Sequence, residues 1–237
     1  MTRHDRLRVA LVTGASRGLG RALAERLAAE GWHVVAGGRD PRRLRAAVAA
    51  LPGAGGATAV AGDVADAAHR RALVEAARTA GGLDLLVNNA SVLGPTPRTR
   101  LADHPVDALA RVLAVNAIAP LALIQRALPL LARRDGRVVN VSSDAAVGAY
   151  PGWGGYGASK AALDHLTAVL AAEHPDLRIY AVDPGDMATD MQREAFPGED
   201  VSGRAAPEDV VPALMRLVAG DLPSGRYRAA GLAPAPA

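Results

Sequence analysis

Tyr156 and Lys160 stand four positions apart in the stretch Tyr156-Gly-Ala-Ser-Lys160, with Ser143 upstream of them. Residues i and i+4 of a helix share a face, so this spacing sets a phenol beside an ammonium. A free phenol titrates near ~10 and is a poor acid or base at neutral pH; an opposite charge close by lowers that value by roughly 1 to 3 units. Such a shift favours phenolate by about 1.4 to 4 kcal/mol. A serine hydroxyl within reach would hold the oxygen that gives or takes the proton. A proton donor positioned in this way is worth on the order of 100- to 10,000-fold in rate. Taken singly, each residue has a plainer reading: a Tyr and Lys on a helix surface, and a turn formed by Ser142 and Ser143 at a strand end. The decision rests on whether the rest of the chain brings a reacting partner to the same place.

A second group of residues supplies one. Thr13-Gly-Ala-Ser-Arg-Gly-Leu-Gly20 comes after an apolar run and opens an Ala- and Leu-rich stretch, with Gly14, Gly18 and Gly20 in a Gly-x-x-x-Gly-x-Gly spacing around Ser16, Arg17 and Leu19. Glycine lets the chain turn sharply and approach a pyrophosphate, whose charge is met by free backbone N–H groups and the positive end of a helix dipole. Tight turns also need glycine; the strand before and the helix after give the spacing its context. The residues just past the second strand separate NAD from NADP, because an acid there bonds a ribose 2′-hydroxyl whereas an arginine accommodates a 2′-phosphate. Here Val34-Val35-Ala36 leads into Gly37-Gly38-Arg39, with no acid before Asp40, and Arg17 lies in the glycine loop itself. The bidentate arginine fork suits a phosphate dianion, which favours NADP(H) over NAD(H). Asp40, directly before Pro41, reads as a helix cap; a displaced 2′-hydroxyl ligand is the competing reading. Together the two groups point to a nicotinamide-dependent oxidoreductase.

The elements that must position them alternate from end to end. Strand-like runs fall near 8–13, 33–37, 57–61, 83–87, 136–141 and 177–182, with a short last one near 226–229. Helical stretches cover 18–30, 41–51, 65–80, 106–134, 155–173 and 207–219, the fourth with a break near Asn116 to Pro120, because proline removes a backbone donor. This alternation predicts an α/β fold: a doubly wound parallel sheet in three layers. The loops at 91–104 and 144–155 leave the carboxyl ends of strands four and five, where open α/β sheets bind ligands. A third loop, about 184–206, leaves strand six on the same side and is placed to fold over a substrate.

Composition narrows the classes. The chain has 237 residues, enough for one well-buried domain over 1–237, and it is 50% hydrophobic but only 3% aromatic, so its core is built from Ala, Val and Leu. It has no cysteine, which excludes thiol nucleophiles and zinc-thiolate sites, and its six histidines lack ligand spacing, so no metal is expected. The +3 net charge comes from dispersed arginines, which predicts a solvated surface and no nucleic-acid partner. The longest apolar stretch, Val112 to Ile124, is interrupted by Asn116 and Pro120 and falls short of the roughly 20 residues of a membrane span. The apolar run ending at Thr13 is too short for a signal peptide. These features predict a soluble, cytoplasmic protein without membrane contact. The tail Gly231-Leu-Ala-Pro-Ala-Pro-Ala237 reads as disordered or as a packing arm.

The motifs in order, Thr13 to Gly20, Asp63-Val64, Asn88-Asn-Ala90, Asn116, Ser143, Tyr156-x-x-x-Lys160 and Pro184-Gly-x-x-x-Thr189, closely resemble the single-domain branch of the short-chain dehydrogenase/reductase family. The resemblance spans roughly 7–228 and implies a Rossmann-type fold and hydride transfer between nicotinamide and a ketone, aldehyde or secondary alcohol. It implies that Tyr156 is the acid or base at the carbonyl oxygen and that Ser143 hydrogen-bonds that oxygen. It also implies that Lys160 holds the nicotinamide ribose and lowers the phenol pKa, while Asn116 binds a water linking Lys160 to solvent. Asp63 and Val64 are implied at the adenine, Asn89 and Ala90 at the nucleotide, and Pro184, Gly185, Met187 and Thr189 at the nicotinamide. The family usually has glycine where Ser91 stands, and the Asp-Gly-Gly turn near its end is missing here. Tyr150 and Trp153 are placed to line an apolar pocket or simply to pack the loop. Two other functions fit the same fold: epimerisation or dehydration through a transient ketone, and a non-catalytic NADP-binding regulatory protein. Apolar positions on more than one face of 106–134 and 155–173, together with the resemblance, imply a homodimer or homotetramer.

Overall fold

The structure is a computed structural model, and it describes residues 6–232. Seven parallel strands, β1 (Val9–Thr13), β2 (His33–Gly38), β3 (Ala57–Ala61), β4 (Leu85–Asn88), β5 (Arg137–Val141), β6 (Arg178–Asp183) and β7 (Gly225–Arg228), form one sheet in the order β3-β2-β1-β4-β5-β6-β7. The order reverses between β1 and β4, the switch point at whose carboxyl side a crevice opens. Side chains alternate across the sheet. Ala10 and Val12 of β1 join the core on one face, under Leu19, Leu23 and Leu27 of α1 (Gly18–Ala29). Val9 and Leu11 join the core on the other. Both faces are covered, which is why the strands read as continuous apolar runs.

The remaining helices are α2 (Pro41–Ala49), α3 (Ala67–Thr79), α4 (Val106–Leu113), α5 (Ala119–Ala132), α6 (Gly154–Glu173), α7 (Asp190–Ala195) and α8 (Pro207–Ala219). Asp40 caps α2, accepting from the Arg42 and Arg43 N–H groups at 2.8 and 3.0 Å, with Pro41 at the first helical position. The break expected near Asn116 to Pro120 is there, as a boundary between two α-helices. A π-helical turn, Ala114–Ile118, joins α4 to α5, so Pro120 falls in the first turn of α5. A missing N–H is tolerated there, and the wider turn absorbs the mismatch.

The resulting helix, Val106–Ala132, is long and apolar enough by length and composition to cross a bilayer, beyond what the Val112 to Ile124 stretch suggests. Its Leu123, Ile124, Ala127 and Leu131 are buried against the sheet face formed by Val9, Leu11 and Leu86. The short α7 inside the 184–206 loop has no counterpart among the helices that the sequence pattern predicts. Of the tail, only Gly231 and Leu232 fall within the described residues.

Candidate active site

At the carboxyl end of β1 the chain turns through Gly14 at φ +69° and Gly18 at φ +55°, the left-handed region that glycine enters freely. The Asn89 side chain staples this turn, its Nδ2 donating to the carbonyls of Thr13 at 2.9 Å and Gly14 at 3.2 Å. The Thr13 hydroxyl accepts from the N–H groups of Asn89 and Ala90 at 3.0 and 3.1 Å and donates to the Val87 carbonyl. Gly20 lies beneath: a Cβ there would sit 2.4 Å from both the Gly14 carbonyl and Asn89 Nδ2. The first turn of α1 has no side-chain cap and no acid. Its N–H groups are therefore left for an anion.

Beside this turn, Arg17, Arg39 and Arg43 line one wall of a cleft of about 1430 Å³. Arg39 closes no ion pair among the described residues, whereas Arg17 reaches across to Asp190 of α7 at 2.5 Å. Asp63 accepts from the Ala65 N–H at 2.9 Å and pairs with Arg111. Burial works against its charge, but these two partners hold its carboxyl below the usual range.

At the other end of the cleft, α6 presents Tyr156, Ser159 and Lys160, all buried. Ser143 lies two residues beyond β5 and caps a short 3₁₀ turn through the Ala145 N–H at 3.1 Å. Lys160 Nζ donates to the Val141 carbonyl at 2.7 Å and lies 5.5 Å from the Tyr156 ring centroid. Adjacency is as the spacing predicts; the shift of the phenol is not. Burial pushes the Tyr156 phenol up to about 12, outweighing the downward pull of the Ser143 and Ser91 hydroxyls. Burial also lowers Lys160 to about 8, against the carboxylate of Asp164. Desolvation disfavours both charged forms, and here it exceeds the attraction that the i, i+4 spacing suggests.

Asn116 has a structural role as well. Its side chain accepts from the Val92 N–H and donates to the Val92 carbonyl, each at 2.9 Å, and donates to Ser159 Oγ at 3.0 Å. It therefore latches the loop after β4 onto α6 and has no amide group left for a water.

The chain is similar to known proteins. The short chain dehydrogenase family profile matches residues 8–200. The chain belongs to the short-chain dehydrogenase/reductase family. It is 38% identical over 209 residues to 3beta-hydroxysteroid dehydrogenase 1 of Eggerthella lenta, covering 85% of this chain and 78% of that one. A short-chain dehydrogenase of Escherichia coli CFT073 complexed with NADPH superposes with a TM-score of 0.86 at 31% identity, over 94% of this chain and 96% of the other. An alcohol dehydrogenase of Thermococcus sibiricus complexed with 5-hydroxy-NADP does so at 0.84 and 26%, with the same coverage.

As a short-chain dehydrogenase/reductase the chain is an oxidoreductase with an NAD(P) cofactor, and its residues fit one. The uncapped α1 terminus and the left-handed glycines could hold a pyrophosphate, and Asp63 and Val64 line the same cleft. Pro184, Gly185, Met187 and Thr189 line the same cleft as Lys160 and Tyr156. Of the residues predicted for the site, only Gly20 and Asn116 stay out of the cleft lining, one under the turn and the other behind α6. Tyr150 and Trp153 do line it, Trp153 meeting Tyr156 edge-on at 5.7 Å and Phe196 at 5.8 Å.

Several lining residues escape sequence reasoning: Arg43, Arg111, Asp144 and Phe196. The wall built by α7 does have a local signal. Thr189-Asp-Met-Gln192 matches the capping pattern, and Thr189 Oγ1 accepts the Gln192 N–H to start α7, which carries Met191 and Ala195 into the wall.

Proposed function

We propose that this short-chain dehydrogenase/reductase is an NADP(H)-dependent reductase of ketones or aldehydes, acting in reverse on secondary alcohols. The observation that carries the proposal is the Tyr156 phenol, kept protonated by burial, facing the Ser143 hydroxyl in the cleft one helical turn from Lys160. NADP(H), when bound, supplies or accepts the hydride.

In reduction, Tyr156 Oη gives its proton to the carbonyl oxygen as the carbon becomes tetrahedral, and the Ser143 hydroxyl lies against the same oxygen. The phenolate left behind is costly in a dry site. Lys160, with its pKa near 8, is still charged at neutral pH and stabilises it. Asn116 is assigned to hold a water that returns a proton toward Lys160. Trp153 and Phe196 give the substrate side an aromatic wall.

Preference for NADP(H) rests on Arg39 and Arg43 beside the second strand and on Asp40, whose carboxylate is committed to capping α2. The exposed Val106, Ile118 and Val169 on α4, the π turn and α6 support assembly as a homodimer or homotetramer. Tyr156→Phe tests the mechanism: ketone reduction should fall by at least ~100-fold, with NADPH binding by fluorescence unchanged. Full activity in the Phe variant would overturn it.

A further inference from the structure

Lys160 is the only lysine of the chain; every other basic side chain is an arginine or a histidine. Arginine keeps its charge in a protein, whereas a buried lysine gives up its proton readily. An ammonium that has to stay charged out of water therefore needs an anion near it. Among the described residues, the one hydrogen bond Lys160 Nζ makes is to a neutral group, the Val141 carbonyl.

The helix that carries Lys160 supplies the anion. Tyr156, Lys160 and Asp164 follow at four-residue steps along α6, so a carboxylate comes one turn after the ammonium. Asp164 Oδ2 accepts from Arg226 Nε of β7 at 2.8 Å. The same guanidinium donates through Nη2 to the Ser143 carbonyl at 2.9 Å and lies 3.9 Å from Asp183 Oδ2. Arg226 thus ties Asp164 to the segment that carries Ser143. The other carboxylate oxygen, Oδ1, is shut off from solvent and takes no hydrogen bond among the described residues. A buried anionic oxygen without a donor is costly unless a positive charge lies near it. The ammonium one turn back is such a charge: burial lowers the Lys160 pKa, and the charge of Asp164 raises it.

No other ionisable side chain packed around α6 takes this part. On α6 itself, Tyr156 rests as a neutral phenol and His165 is exposed. Asp144, after β5, and Asp183, at the end of β6, act on the Tyr156 phenol. Arg228 of β7 lies 3.6 Å from Asp183, and Arg111 of α4 is engaged by Asp63. Asp107 of α4 and Arg126 of α5 are exposed, Arg137 and Arg178 begin β5 and β6 at the opposite edge of the sheet, and the π turn carries no ionisable group.

We propose that Asp164, anchored by Arg226, is a positioning residue for the reaction: it keeps the Lys160 ammonium charged, so that a cation is in place when Tyr156 gives up its proton. Asp164 does not line the cleft and acts only through Lys160.

The part Asp164 plays in the reaction rests on the carbonyl-reductase reading, whereas its hold on Lys160 does not, and the experiment reads the two separately. With a single lysine, untagged protein made with isotope-labelled lysine gives one lysine side-chain NMR signal, which follows the ammonium as it titrates. Without cofactor, the midpoint should lie near 8 in the wild-type protein. In Asp164→Asn, which keeps the shape and can still accept from Arg226, it should fall by about one unit, as expected for losing a nearby opposite charge. The alkaline limb of kcat for acetophenone reduction by NADPH should move down by the same amount. At about pH 6 the two proteins should agree within about twofold, and at about pH 8 the variant should be about fivefold slower.

An unmoved NMR midpoint in Asp164→Asn overturns the proposal even if kcat falls, because a merely structural role would lower kcat at every pH and leave the titration alone. A shifted midpoint with an unmoved kcat limb overturns the role in the reaction. If the wild-type protein reduces no ketone, the carbonyl-reductase reading falls and that role with it, while the titration still decides whether Asp164 governs the charge of Lys160.

Discussion

Replacing Lys160 by methionine should abolish turnover and yet make the protein more stable at neutral pH. The ammonium is 2% exposed, and burial brings it from 10.5 down to about 8. A drop of that size corresponds to about 3 to 4 kcal/mol that the folded state gives up, below pH 8, to keep the charge. Methionine has a similar length and no charge to desolvate. The loss on the other side is the 2.7 Å bond to the Val141 carbonyl, worth about 1.5 kcal/mol for a charged donor. The net gain is about 2 kcal/mol, which in a chain of this size raises Tm by about 4 to 8 °C.

The pH dependence isolates the electrostatic part. The folded pKa lies below the unfolded one, so between about 8 and 10.5 the unfolded chain binds more protons and wild-type stability rises with pH. The advantage of Lys160→Met should be full below about pH 8 and should shrink across that window. Thermal unfolding of both proteins without cofactor, at about pH 6.5 and about pH 9.5, measures it. A difference that stays constant between these pH values would refute the argument from burial, whatever its sign.

The same two pKa values fix how the directions of catalysis respond to pH. Reduction needs the protonated phenol and the charged ammonium, so its kcat should be level from about pH 6 to about 8 and decline above as Lys160 loses its proton. Alcohol oxidation needs phenolate and should climb through the same range; an oxidation rate that falls there would contradict the raised phenol. On the cofactor side, Arg39→Ala and Arg43→Ala should each raise the NADPH KM by about tenfold, the loss of one charged hydrogen bond, and leave the NADH KM unchanged. Asp40→Ala should leave both KM values alone and lower unfolding stability by about 1 kcal/mol, as loss of a helix cap does; a specific gain or loss for NADH would make Asp40 a ribose ligand instead.

What can be read from the sequence is local. The glycine loop, the Asp40-Pro41 cap and the apolar strands each place their signal within a few neighbouring residues, and each lies where its pattern says. Tyr156 and Lys160 meet because four positions make one helical turn. Arg43 is legible as a helix residue, but its reach into the cleft depends on how α2 packs. Arg111 finds Asp63 across 48 positions. Ser91 faces Tyr156 only because the β4 loop is latched to α6 through Asn116. Pro120 marks the boundary between α4 and α5, whereas the π turn that forms it has no comparable mark in the sequence.

The sign of the phenol shift escapes the sequence for a different reason, and it bears on mechanism. Spacing reports proximity, whereas a pKa depends on proximity set against solvent exposure, and exposure is a property of the whole fold. Had the pair been at the surface, Lys160 would favour a resting phenolate, a base waiting for an alcohol. Buried, the same pair rests as a neutral phenol beside an ammonium held by a carbonyl, which is an acid waiting for an oxygen. The raised phenol withholds about 3 kcal/mol from ionisation in the absence of substrate. That cost is incurred when a developing alkoxide takes the proton, and the adjacent Lys160 ammonium is what offsets it. A buried site of this kind therefore brings its electrostatics to bear at the moment of reduction, and the oxidation direction has to supply the deprotonated phenol from outside.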